Sequence, residues 1–157
     1  MRALRLALAI GLSATVALGG YAAYPGNGAV VLALRQTGLL GRELDPQLDA
    51  LLTAMIASAA IDPEGKVSFN RPLGDQRFLE PHSGSYWQVS GTGQDDFRSR
   101  SLWDRRLRLR GRHAGTEPYT SEQFADEPLR IVERTIRLPG SDAEWQFAVA
   151  RAFDDMD

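Results

Sequence analysis

The sequence predicts an α+β fold: an N-terminal membrane helix, then a long helix packed on a mostly antiparallel sheet of about five strands. Three observations predict it. Leu6 to Tyr24 is an uncharged, mostly apolar run of 19 residues. Asp45 to Ala60 carries an apolar stripe at helical spacing, and the second half alternates in strand fashion around Gly- and Pro-rich turns. A helix with one broad apolar face and strands with one apolar face bury those faces against each other.

The apolar run comes first. A stretch of roughly 20 residues suffices to cross a bilayer core as a helix. Arg2 and Arg5 precede it, which favours a cytoplasmic N-terminus and an exported remainder. The rival reading is a cleaved signal peptide, with Leu6 to Leu18 as its apolar region and Gly20-Tyr21-Ala22 as a small-x-small cleavage site. Both readings export everything after residue 24. Tyr24-Pro25-Gly26-Asn27-Gly28 then breaks the helix pattern, and residues 25–44 form a juxtamembrane linker.

Asp45-Pro46 reads as a helix start, with Asp45 as N-cap and Pro46 at the first helical position. Leu44, Leu48, Leu51, Met55 and Ser58 follow spacings of 4, 3, 4 and 3, a short seam suited to a partner helix. Leu52, Ile56 and Ala59 widen the stripe, so covering a sheet is the competing use of the same residues. The helix is expected to end near Ile61, because Asp62 precedes Pro63. Asp62-Pro63-Glu64-Gly65 fits a type I turn, and Val67 to Asn70 is a short strand. One helical turn is expected at Asp75 to Phe78.

Residues 83–107 are read as a β-hairpin. Tyr86 to Val89 form the first strand, Ser90 to Asp95 the turn, and Phe97 to Leu102 the returning strand. A polar loop from His113 to Glu127 follows. Leu129 to Leu138 and Trp145 to Ala152 are two further strands, joined at Pro139-Gly140-Ser141-Asp142.

The chain's composition limits its chemistry. No cysteine is present, which removes disulfides, thiolate metal sites and cysteine nucleophiles. The formal net charge of −2 gives no bulk attraction to nucleic acid, so no nucleic-acid partner is expected. His82 and His113 sit in loops without metal-ligand spacing, and no nucleophile elbow or phosphate loop occurs. No catalytic residue and no metal site is assigned. A small exported hydrolase is disfavoured because no nucleophile–base pair is marked.

What remains unusual is arginine. Arg98, Arg100, Arg105, Arg106, Arg108, Arg110 and Arg112 lie within fifteen residues. Guanidinium forks suit carboxylates and phosphates, and a charged sheet edge that blocks aggregation explains the same residues. Tyr86, Trp87, Arg98, Arg100, Trp103 and Arg105 are taken as the candidate ligand-binding set, with Leu44, Leu48, Leu51 and Met55 as the candidate dimer or transmission face.

Ser-Gly-Ser-Tyr-Trp-Gln-Val at residues 83–89, followed by Arg-Ser-Arg-Ser-Leu-Trp-Asp at 98–104, resembles the periplasmic sensor region of proteobacterial transmembrane sensor histidine kinases of two-component systems. Leu129 to Arg134 and Leu138-Pro139-Gly140 resemble later strands of that region. The resemblance covers about residues 45–153. It implies a PAS-like sensor fold, a homodimer, and an inner-membrane location with residues after about 25 in the periplasm. Divided accordingly, residues 1–24 are the membrane helix, 45–153 the sensor domain, and 154–157 the start of a connector. In that family a phosphoacceptor-histidine domain and an ATP-binding domain follow, and neither is present here. ATP, Mg and a response regulator are therefore expected only through that kinase core, and this chain binds no cofactor of its own. The expected function is signal input; the alternative is a secreted binding or structural protein released by cleavage.

Overall fold

Leu48, Leu52 and Met55, at helical spacing, are fully buried and set one side of the first core layer. They belong to helix α1, Asp45–Ser58, and a 3-10 turn at Arg42–Leu44 leads into it. The computed structural model describes residues 41–111 and 116–153. The expected membrane helix, the linker up to residue 40, Arg112, His113 and the connector lie outside the described residues. Among the described residues no helix is long and apolar enough to cross a membrane.

The helix differs from expectation at both ends. Leu44, not Asp45, occupies the cap position, and no side chain caps it. Asp45 is already helical, which frees its carboxylate for the sheet. At the other end the helix stops at Ser58 and the chain turns extended at Ala59. Ala59–Ile61 is strand β1, paired antiparallel with β2, Val67–Phe69. The Asp-Pro-Glu-Gly turn explains the shortening. Gly65, at φ 79°, accepts the left-handed conformation, and Asp62 Oδ1 receives the Lys66 N–H at 2.8 Å. That tight reversal brings 67–69 back beside 59–61, and strand pairing replaces the last helical turn.

The main sheet has five strands: β3 Ser85–Gly91, β4 Phe97–Arg98, β5 Tyr119–Phe124, β6 Glu127–Arg137 and β7 Glu144–Ala152. Their spatial order is β4-β3-β7-β6-β5, and every pairing is antiparallel. The hairpin expected at 83–107 is thus half formed. β4 lasts two residues, and Arg100–Leu102 is a 3-10 turn. Buried serines account for the early end. Ser99 Oγ accepts the Trp87 N–H at 3.1 Å, and Ser101 Oγ donates to the Ser85 carbonyl at 2.6 Å. Side chains thereby satisfy backbone groups of β3 that a longer β4 would have paired.

β5 lies within the stretch 113–127 expected to be a polar loop. Its Tyr-Thr-Ser-Glu-Gln-Phe run is polar and lies at the sheet edge, with a register irregularity between Ser121 and Phe124. Asp126, at φ 56°, makes the tight turn into β6.

The sheet buries both faces. On one face Trp87, Val89, Val132, Phe147 and Val149 meet Leu48, Leu52 and Met55 of α1. Leu44 and Leu51 are partly buried against this same core, so the expected partner seam covers the chain's own sheet. Gly91 makes room here for the Trp145 ring, since a Cβ at that position would sit 2.6 Å from it. On the other face Tyr86, Leu129, Ile131, Ala148 and Ala150 form a second core with Leu102, Leu107 and Tyr119.

Candidate functional site

Alternation along β3 decides which of the expected binding residues can meet. Successive side chains point to opposite faces, so Tyr86 and Trp87 cannot share a site. Trp87 turns toward α1 and packs edge-on against Phe69 and Phe97, with centroids 5.2 and 4.9 Å away. It is a core aromatic. Tyr86 turns to the other face, where residues 103–111 cross the sheet as an irregular strap.

Side chains of β3, β5 and β6 fasten the strap, and Gln123 Oε1 on β5 accepts the Arg108 N–H at 2.7 Å. Gln88, on β3, is fully buried; its Oε1 accepts the Leu107 N–H at 2.9 Å and its Nε2 donates to the Leu107 carbonyl at 3.0 Å. One amide thus does for Leu107 what a neighbouring strand would do. Glu133, on β6, is also buried. Its carboxylate accepts from Arg110 N at 3.2 Å, Gly111 N at 3.1 Å, Tyr119 Oη at 2.5 Å and Gln146 Nε2 at 3.1 Å. Burial and this carboxylate together push the Tyr119 hydroxyl well above its usual range. The Arg110 guanidinium lies 3.8 Å over the Tyr119 ring.

At the strap's root stands the cluster that unites two expected site residues with two unexpected ones. Arg105 donates from Nη1 to Glu127 Oε2 at 2.8 Å and from Nη2 to Tyr86 Oη at 2.6 Å. Tyr86 in turn donates to Glu127 Oε1 and accepts the Gly84 N–H at 3.1 Å. The guanidinium lies 4.2 Å from the Phe124 ring centre and 5.1 Å from that of Tyr86, and the two rings stand at 88°. Burial lowers the Arg105 pKa, but the bonds to Glu127 and Tyr86 more than offset that and hold it above the ordinary value. The Tyr86 hydroxyl is raised, first by burial and then by its bond to Glu127. The result is a recess with two π-walls and one carboxylate, filled by a guanidinium.

The remaining expected residues sit around this root. Arg98 donates to the Arg105 carbonyl at 2.6 Å. Arg100 and Trp103 are exposed, and Trp103 is held at φ 53°, ψ −108°. Arg106 pairs with Asp96 at 2.5 Å. Beyond the root, a recess of about 370 Å³ opens between the strap and β3 and β7, with Arg106 and Arg108 at its lip and Gln88, Ser90 and Gln146 at its floor. Much of the arginine density is therefore strap fastening. Glu127, Phe124 and Glu133 were missed because their part of the sequence looked like an ordinary polar loop and strand. Only their placement opposite Tyr86 and the strap gives them a role.

The helix face carries a second set of polar links. Arg130 Nε and Nη2 bond Asp45 Oδ1 and Oδ2 at 2.6 and 2.8 Å, a bidentate pair whose guanidinium is almost fully buried. Arg134 pairs with Asp49, and Arg151 donates to Gln47 Oε1 at 3.0 Å and to Asp75 Oδ2 at 3.2 Å. Asp75 is held below its ordinary value mainly by its hydrogen bond from Arg77. Strands β6 and β7 thus grip the first turns of α1. Among the described residues no group of three His, Cys, Asp or Glu side chains is placed to hold a metal ion. No family model matches the chain, and neither does any curated protein or solved structure.

Proposed function

We propose that this chain is the extracytoplasmic signal-input part of a membrane sensor histidine kinase, acting as a homodimer at the inner membrane. One observation carries the reading. Counted in chain order within the five-stranded sheet, the strands lie 2-1-5-4-3, with a helix on one face and an irregular strap on the other. An antiparallel five-stranded sheet with a helix on one face is compatible with the PAS-like fold which the Tyr-Trp-Gln and Arg-Ser-Arg-Ser-Leu-Trp-Asp resemblance implies. The division of faces suits an input module. The strap face offers a recess of about 370 Å³, a second of about 270 Å³ lies between the β1–β2 turn, Phe97 and Trp145, and the helix face couples the sheet to α1 through Arg130, Arg134 and Arg151. A ligand that binds two arrangements of the strap unequally would bias the sheet and, through those links, the helix that leads back to the apolar N-terminal run. With Leu48 and Met55 in the chain's own core, a partner subunit would meet α1 on its exposed side, around Ala50, Thr53 and Ala57.

The alternative, a released binding protein, is favoured by Gly20-Tyr21-Ala22 as a cleavage site. N-terminal sequencing of the product made in bacterial cells separates the two. An intact Met1 or Arg2 in the membrane fraction supports the anchored sensor, whereas a start near Ala23 in the soluble periplasmic fraction supports release.

A further inference from the structure

The recess of Tyr86, Phe124 and Glu127 has the composition of a cation-binding cage, and it is occupied by a residue of the same chain. One feature shows that the fit of this occupant is imperfect. Arg105 Nε is buried without a hydrogen-bond partner, so one of its five donors is lost on entry. The site is also reachable, since the Arg105 and Glu127 side chains each keep 22% of their surface exposed.

We infer that this recess is a binding site for a small organic cation, an alkylguanidinium or quaternary ammonium ion, which displaces the Arg105 side chain. The exchange swaps one positive charge for another beside Glu127, so the net charge of the recess is unchanged. A quaternary ammonium has no N–H to leave unpaired, and a small guanidinium is free to turn its donors toward Glu127 and Tyr86. Gln88, Gln123 and Glu133 keep the rest of the strap in place, so displacement loosens its root, residues 103–106, where Trp103 reports it. This supplies a ligand class for the proposed input site and rests on that reading for its signalling consequence alone. Binding is measured on purified protein, so a failure to bind and a failure of the sensor reading are distinguishable.

The test is titration of the purified full chain with methylguanidinium and with tetramethylammonium at constant ionic strength, followed by tryptophan fluorescence. A saturable change that disappears in Trp103→Phe is expected. Arg105→Ala empties the cage and should tighten binding at least roughly tenfold, because a tethered competitor acts at millimolar effective concentration. Glu127→Gln, made in the Arg105→Ala background, should abolish it. Arg105→Gln replaces Arg105→Ala if circular dichroism shows that the latter does not fold. No saturable binding of either cation to the emptied cage, or binding unaffected by Glu127→Gln, overturns the inference.

Discussion

At the scale of single residues, the strap face depends on neutral tyrosines held against carboxylates. Tyr86 and Tyr119 both sit above the ordinary value of 10.0, through burial and through hydrogen bonds to Glu127 and Glu133. A raised folded value means that folding favours the protonated phenol. That stability is complete below pH 10 and is lost as the pH climbs from there through the folded values. Thermal unfolding followed by circular dichroism should therefore show a steeper fall in Tm above pH 10 than the Tyr86→Phe/Tyr119→Phe double variant shows. Residue chemistry was only partly legible in the sequence. The arginine cluster was visible, but its use was not: a guanidinium that fills its own cage and one that waits for a ligand have the same sequence. Glu133 gave no signal, because an acidic residue in an alternating strand is ordinary until four donors converge on it.

At the scale of elements, what holds α1 to the sheet differs along its length. Leu48, Leu52 and Met55 supply apolar burial, and Arg130–Asp45 supplies a directional lock at the first turn. Removing one partner of a buried pair leaves the other charge desolvated, so Arg130→Ala should destabilise the domain by about 3 kcal/mol in urea unfolding. Asp49→Ala removes half of an exposed pair and should cost less than ~1 kcal/mol. Equal costs would mean that the buried lock is not special. The broad stripe of α1 was legible, as were the alternating runs of β3, β6 and β7, because buried faces impose their period on the sequence. The misreadings have physical causes. Ala59 to Ile61 is as compatible with helix as with strand, and the Asp-Pro-Glu-Gly turn decided for strand. β4 is short because Ser99 and Ser101 replace its ladder bonds. β5 is a polar edge strand, whose outward face carries no apolar signal.

For the molecule as a whole, the two faces of the sheet are covered in different ways. One is latched to α1 and the other is crossed by the strap, and β3, β6 and β7 carry contacts to both. The order of strands was not readable in advance, since local patterns do not say that β3 pairs with β7, more than fifty residues away, and not chiefly with β4. The proposed role requires this domain to stand outside the cytoplasm while joined to the membrane. Because the chain has no cysteine, a single Glu64→Cys substitution in the exposed β1–β2 turn gives a unique label site. The decisive measurement is labelling of that variant by a membrane-impermeant maleimide in intact cells with a permeabilised outer envelope, followed by fractionation. An extracytoplasmic sensor requires labelled protein in the membrane fraction; labelling only after the inner membrane is broken would contradict it.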